Sequence, residues 1–192
     1  MKAKMNFTFA GASALAVGLF LSAGCASQTA TTSGTAPVIV LATPPAAPPA
    51  ASATLKFVRA DSEETAGEDG KGANAIDGDP NTIWHTQWQD TNPPCPHEIV
   101  IELTPPKTIK GFTYLPRQDD SENGTIKGYE FYVSNDGDDF GQPVSKGTFE
   151  NSKDLKTVTF DPKQCRFIKL KALSEVNDAA WTSAAEIGVV PQ

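Results

Sequence analysis

Between Asn74 and Trp88 the chain reads NAIDGDPNTIWHTQW, which sets two carboxylates, two tryptophans and one of its two histidines within fifteen residues. Asp77-Gly78-Asp79-Pro80-Asn81-Thr82 mixes turn formers with oxygen donors, the ligand type that a hard cation prefers. It begins like an EF-hand loop, D-x-D-x-N, but Thr82 stands where that loop needs glycine and Trp88 where it needs glutamate. No helical pattern flanks it either, so the EF-hand reading fails. A cation here would use backbone carbonyls, the Asp77 carboxylate and the Thr82 hydroxyl, with a second carboxylate arriving from elsewhere. After the loop the segment is extended, where successive side chains point to opposite faces. Trp84 is therefore expected in the core and His85 on the other side, free for hydrogen bonding.

The elements that must position these groups read as strands. HEIVIEL alternates Ile99, Ile101 and Leu103 against Glu98 and Glu102; GYEFYVS alternates Tyr129, Phe131 and Val133 against Glu130 and Ser134; RFIKLKAL sets Ile168, Leu170 and Ala172 opposite Lys169 and Lys171. Repeated period-two patterns mark half-buried strands. LKFVRA, IKGFTYLP, PVSKGTF, LKTVTF and AAEIGVV add five shorter candidates, separated by the turn-like TPPK, DDSENG, NDGDDFG and DPKQ. No stretch of helical length carries an apolar stripe. Eight short strands at this spacing predict an all-β fold, a sandwich or jelly roll.

The N-terminal residues describe an address. Lys2 and Lys4 precede an apolar run around Ala14–Leu21, too short for a membrane span, and small residues lead to Cys25, the plan of an export signal over 1–24. LSAGC resembles a bacterial lipobox, which implies cleavage before Cys25, lipidation of that cysteine and attachment to the cell envelope; Ala26, which is not aspartate, favours the outer membrane. Residues 26–54 hold no charged side chain and five prolines among Ala, Thr and Ser, so 25–54 reads as a lipidated cysteine and tether. At ~3.1 Å per residue in polyproline II, such a tether reaches up to roughly 90 Å. Residues 55–192 are one domain of ordinary length. Lys2 and Lys4 leave with the signal, so 16 basic residues become 14 against 23 acidic ones, a formal net charge of −9. That sign argues against nucleic acid and anionic lipid headgroups as partners. Beyond Cys25 only Cys95 and Cys165 remain. An even pair in an exported chain reads as a disulfide between them, the more so as both precede strand-like runs, HEIVIEL and RFIKLKAL, whose ends could lie side by side; two buried free thiols are the alternative.

The motifs NAIDGDPNTIWHTQW, HEIVIEL, GFTYLPRQD, NGTIKGYEFYVS, RFIKLKALSE and WTSAAEI occur in one order across the domain. Together they resemble a discoidin, or factor V/VIII type C, domain, and within it the bacterial carbohydrate-binding modules of family 32. The resemblance implies a discoidin-like jelly-roll sandwich with one structural calcium ion. Its ligands would be the carbonyls of Asn74, Asp79 and Ala185, the carboxylates of Asp77 and Glu186, and Thr82 through carbonyl and hydroxyl. It also implies a sugar site. A pyranose stacks its apolar face on an aromatic ring while planar side chains hydrogen-bond its rim, and galactose suits this because its axial hydroxyl leaves one continuous C–H face. His85, Arg117 and Asn123 match the polar core of galactose-binding members, Trp88 and Trp181 the aromatic positions, and Glu64 a carboxylate that some members use. As loop residues, His85 and Arg117 are expected to be exposed. His97 is expected to be structural.

The leading reading is a monomeric, non-catalytic, lipid-anchored protein that binds galactose-type glycans. A discoidin-type adhesin for a protein or another cell-surface ligand is the alternative. An enzyme is disfavoured: two histidines and no triad or metal-hydrolase spacing leave only paired carboxylates, which the calcium set and loop surface account for.

Overall fold

The computed structural model of the chain describes residues 53–192; the signal at 1–24, Cys25 and nearly all of the linker lie outside the described residues. The eight segments expected as strands fall in six elements, two of them longer than expected, and two further strands of two residues each bring the total to eight. In chain order these are β1 (Thr54–Ala60), β2 (Trp84–His85), β3 (His97–Leu115), β4 (Ile126–Ser134), β5 (Ser145–Thr148), β6 (Lys156–Glu175), β7 (Ser183–Ala184) and β8 (Glu186–Pro191), with a 3-10 turn over Gly72–Ile76.

HEIVIEL and IKGFTYLP are a single strand, β3, and LKTVTF and RFIKLKAL are a single strand, β6. TPPK and DPKQ, expected as turns, lie inside them where the β3–β6 register shifts, between Glu102 and Lys107 and between Ile109 and Gly111. Unpaired extra residues bend a strand pair, and Pro105 and Pro106 are tolerated there because no ladder N–H is required of them. Both strands therefore pass from one layer of a sandwich into the other. β1, the first half of β3, the second half of β6, β4 and β5 pair antiparallel in that order; beyond the bends, β8, the second half of β3 and the first half of β6 face them. This is the expected all-β jelly-roll sandwich.

Ile99, Ile101, Leu103, Phe112, Phe131, Ile168, Leu170 and Ile187 are fully buried between the layers. Phe112 on β3 stacks on Phe131 on β4 with ring centroids 4.0 Å apart, although those strands share no ladder. Side chains of this size contribute about 1.5–3 kcal/mol each when fully buried. Trp84 joins this core as expected, its Nε1 donating to the Ser62 carbonyl at 2.9 Å.

The expected disulfide does not form: Cys95 and Cys165 are both free thiols. Cys95 precedes β3, its sulfur 3.5 Å from the Ala180 carbonyl oxygen, whereas Cys165 pairs with Lys107 at the bend. The His97–Ala172 and Lys107–Cys165 pairs are seven residues apart along β6, roughly 23 Å of strand, and a disulfide needs Cα atoms within about 7 Å. The two strand starts that looked equivalent lie at opposite ends of one hairpin arm. Burial pushes the Cys165 thiol up to about 11 and raises that of Cys95 as well.

His97 is structural, as expected, with partners on three segments. Nδ1 meets the Asp61 carboxylate at 2.8 Å, and Nε2 lies 3.1 and 3.0 Å from the carbonyl oxygens of Pro93 and Ala180. Acceptors on both sides favour a doubly protonated ring. Burial opposes that charge, but the Asp61 carboxylate and the carbonyls outweigh it, so His97 titrates above its ordinary value. A raised folded-state pKa makes this contribution complete below the unfolded value, ~6.5, and removes it as pH rises through the folded value. We therefore predict that the melting temperature falls as the pH is raised from 6 through the neutral range, and that His97→Gln flattens this dependence. An unchanged slope in the variant, measured by circular dichroism, would assign the effect elsewhere.

Candidate functional site

Two short strands missed by the alternation patterns build the site. β2 and β7 pair antiparallel, Trp84 with Ala184 and His85 with Ser183, which joins the NAIDGDPNTIWHTQW segment to the C-terminal WTSAAEI. Buried Tyr114 pins this ribbon to the sandwich: its hydroxyl donates to the Ser183 carbonyl at 3.1 Å and accepts from the Ile126 N–H at 3.0 Å. Burial raises its pKa, so the hydroxyl keeps its proton. Gly124 lies against β7 with φ +83° and no room for a side chain, since a Cβ would stand 2.6 Å from the Ser183 nitrogen.

Glu64 differs from its expected role. Its side chain is fully buried, Oε1 accepting from the N–H groups of Ala66 and Gly67 and Oε2 from those of Trp88 and Gln89, all within 2.8 Å. With four donors its acceptor capacity is used, and it does not line the cavity described below. These bonds, that from Gly67 first and that from Trp88 second, hold its pKa down at about 2. Glu68, four residues on, takes the place expected of Glu64: Oε1 accepts from Trp88 Nε1 at 3.0 Å and lies 3.8 Å from His85 Nδ1. The Trp88 ring passes directly over Gly67, where a Cβ would come within 2.6 Å of it.

Glu68, His85, Trp88, Arg117, Ser121, Asn123 and Trp181 line one cavity of about 350 Å³. Five of the six residues expected to contact sugar are thus together, brought from β2, the β2–β3 loop, the β3–β4 loop and the segment before β7, with Glu68 added from the β1–β2 loop. His85 and Arg117 are only 3% and 8% exposed, contrary to expectation. His85 Nδ1 lies 2.6 Å from the Thr86 carbonyl oxygen, which can only accept, so Nδ1 carries the proton and Nε2 is left as an acceptor. Burial, the largest influence, lowers the His85 pKa and keeps the ring neutral near pH 7. Arg117 is held from both sides: Nε and Nη2 donate to the two carboxylate oxygens of Asp119 at 2.7 and 2.5 Å, and Nη1 donates to the Asn123 carbonyl at 3.2 Å. Its guanidinium holds Asp119 below the usual carboxylate range. Two of its five N–H donors remain for a ligand. Asn123 is exposed, and its side-chain amide makes no hydrogen bond among the described residues. The DDSEN loop places Asn123 on the cavity wall. Trp88 is 39% exposed, and Trp181 is partly buried with Nε1 lacking a protein acceptor. Glu68, Asp119 and Ser121 went unrecognised in the sequence; the acid two residues beyond Arg117 in RQD was the available signal for Asp119.

Of the expected cation ligands, Asp77, Asp79 and Thr82 lie together in one loop, with Glu186 close to Asp77. Asp77 Oδ2 accepts from the Thr82 hydroxyl at 2.8 Å, and that hydroxyl lies 3.0 Å from the Asp79 carbonyl oxygen. Asn74 sits in the 3-10 turn, its amide bonded to the Asp69 and Ile83 carbonyls, while Ala185 donates to Leu115 just ahead of β8. Glu186, the first residue of β8, has a buried Oε1 without a donor. Burial, together with the charges of Asp77 and Asp79, raises its pKa against an opposing bond from the Gly78 N–H. Among the described residues no group of three or more His, Cys, Asp or Glu is placed to hold a metal ion by itself. Two carboxylates with uncharged oxygens around them nevertheless fit a hard cation in kind.

Residues 58–187 match the F5/8 type C domain family. A sialidase from Micromonospora viridifaciens is 39% identical over 141 residues, 73% of this chain and 22% of its own length. A galactose oxidase from Gibberella zeae is 37% identical over 133 residues, 69% of this chain and 19% of its own. The chain thus spans about a fifth of these curated relatives. It covers nearly all of the solved modules: 99% of CpGH89CBM32-5 from Clostridium perfringens, in complex with GalNAc-β-1,3-galactose, at 39% identity and TM-score 0.65, and 97% of the family 32 module of C. perfringens NanJ, in complex with galactose, at 31% identity and TM-score 0.61; each match takes 72% of this chain. By contrast it covers 14% of a chain that also carries an M60 catalytic domain. The likeness is to the non-catalytic binding modules and not to the enzymes that carry them. Sandwich topology, the joining of its two ends and the match over 58–187 agree: this chain belongs to the F5/8 type C, or discoidin, domain family.

Proposed function

We propose that this chain is a non-catalytic binding protein for terminal galactose and N-acetylgalactosamine, held at the bacterial cell envelope by lipid on Cys25. The observation that carries the reading is the convergence of His85, Arg117, Asn123, Trp88 and Trp181 on one cavity. Its volume stands at the low end of small-molecule sites, ~300–1,000 Å³, as one sugar ring requires. Neutral His85 offers Nε2 to a hydroxyl, Arg117 offers two fixed donors, the Asn123 amide offers both kinds of partner, and the indoles offer apolar faces. The solved modules with galactose and GalNAc-β-1,3-galactose support the same class of ligand. An adhesin role has no specific support: Val58, Trp88, Leu155 and Leu173 are the exposed large apolar side chains among the described residues, and Trp88 belongs to the cavity.

Asn123 is the position at which binding can be removed without disturbing a buried contact. We predict that Asn123→Ala costs about 0.5–1.5 kcal/mol of galactose affinity and leaves the melting temperature unchanged. Trp181→Ala should cost about 1–3 kcal/mol, by analogy with other ring-stacking contacts. Titration calorimetry with galactose, N-acetylgalactosamine and glucose decides this; no heat with any of them overturns the reading.

The Asp77, Asp79, Thr82 and Glu186 oxygens, with the Asn74 and Ala185 carbonyls, would hold calcium and neutralise the two carboxylates. An ion bound only by the folded state stabilises by mass action. Calcium added to chelated protein should raise the melting temperature, and Glu186→Gln should remove most of the increment; equal melting with and without calcium counts against the ion.

For the anchor, replacing Cys25 by alanine should move the protein from the membrane fraction to the soluble one. Unchanged partitioning would dismiss lipidation as the means of attachment.

A further inference from the structure

A second cavity, of about 280 Å³, adjoins the first and shares Glu68 and Arg117 with it. Its other walls include Asp69, Asn74, Asn81, Gln118 and Asp119, and it contains no aromatic ring. Arg117 stands between the two, its Nη1 engaged with Asn123 of the first cavity and its Nε and Nη2 with Asp119 of the second.

The hydrogen-bonding character of this groove is one-sided. Asn74 uses Nδ2 on the carbonyls of Asp69 and Ile83, and Gln118 uses Nε2 on those of Pro116 and Lys153. Carbonyls only accept, which fixes both amide orientations. Asn81 gives an Nδ2 hydrogen to Asp79. The three amide oxygens receive no hydrogen bond among the described residues. Beside them stand the carboxylates of Glu68, Asp69 and Asp119, so acceptors greatly outnumber free donors. The complement of such a surface is a molecule rich in donors and free of negative charge, and a neutral sugar ring presents several hydroxyl donors at once.

We propose that this groove is a second sugar subsite. The ligand is then a disaccharide or longer glycan with terminal galactose or N-acetylgalactosamine in the aromatic cavity and the adjacent residue in the groove. That residue is neutral or carries an amine; a carboxylated or sulfated one is disfavoured by Glu68, the groove carboxylate without a cation partner, since Asp119 is paired with Arg117 and Asp69 with Lys71. The inference rests on reading the first cavity as the galactose site. With no ring to stack on, the subsite works through hydrogen bonds and selects by charge.

Calorimetry on the full chain should compare galactose with galactose linked β-1,3, β-1,4, α-1,3 and α-1,4 to a neutral hexose, and with galactosyl-glucuronic acid. At least one neutral disaccharide should bind about tenfold tighter than galactose, and the acidic one should show no gain. Gln118→Ala and Asn81→Ala, each checked for an unchanged melting temperature, should reduce that gain and leave galactose affinity as it was. Should either variant lose stability, Asp69→Lys at an exposed position provides the second arm: it should improve binding of galactosyl-glucuronic acid and not of galactose. Galactose binding with no gain from any disaccharide, a gain that both alanine variants leave intact, or an Asp69→Lys variant that binds galactosyl-glucuronic acid no better, overturns the subsite alone. No heat with any sugar overturns the galactose reading, and the subsite with it.

Discussion

One carboxylate that meets no solvent holds the binding end of this sandwich together. Glu64 receives four backbone N–H groups, two from the turn that follows it and two from Trp88 and Gln89. Backbone donors in loops have no ladder to satisfy them, and leaving them buried and unpaired costs about 1–3 kcal/mol each. A neutral side chain could not serve all four, because an amide replaces one acceptor oxygen with donors. The clamp sets the spacing between Gly67 and Trp88, and with it the reach from Glu68 to the indole. Its pKa of about 2 keeps it ionised, and the loops joined, far below neutral pH.

The same economy recurs in the residues that face the cavity. Arg117 is fixed by Asp119, His85 by the Thr86 carbonyl and Trp88 by Glu68 before any ligand arrives. Immobilising a free side chain on binding costs about 0.5–1.5 kcal/mol, so groups already held lose little when a ligand arrives. Asn123 is the exception, exposed and unbonded in its side chain, and it can adjust to the hydroxyl pattern presented to it.

The fold was legible because its signal is local and repeated. Alternation in HEIVIEL, GYEFYVS and RFIKLKAL reports which face of a strand is buried, whatever the strand pairs with. The merging of segments into β3 and β6 was not legible: Pro105 and Pro106 read as a turn, and only the partner strand makes them a bend. The same mistake of scale produced the expected disulfide, since Cys95 and Cys165 both precede strand-like runs yet lie at opposite ends of one pairing. In the site, five residues named from the family resemblance do line one cavity. Glu64 was misassigned because SEET and AGED supply several acids within a few residues, and burial, which separates Glu64 from Glu68, depends on where Trp88 returns. β2 and β7, two residues each, are too short to show any period.

Burial also changes how recognition and stability divide. His85 and Arg117 look like loop residues whose removal would touch only the ligand. In the structure both are enclosed, and Arg117 neutralises Asp119, so alanine there leaves a carboxylate without its partner and perturbs the fold along with the site. Asn74 and Thr82 likewise belong both to the proposed cation loop and to the wall of the second groove. Asn123 and Asp69, both exposed, are the least burdened by such double duty, so the affinity and selectivity of this binding end can be altered through them while Glu64, Tyr114 and Asp119 keep its frame.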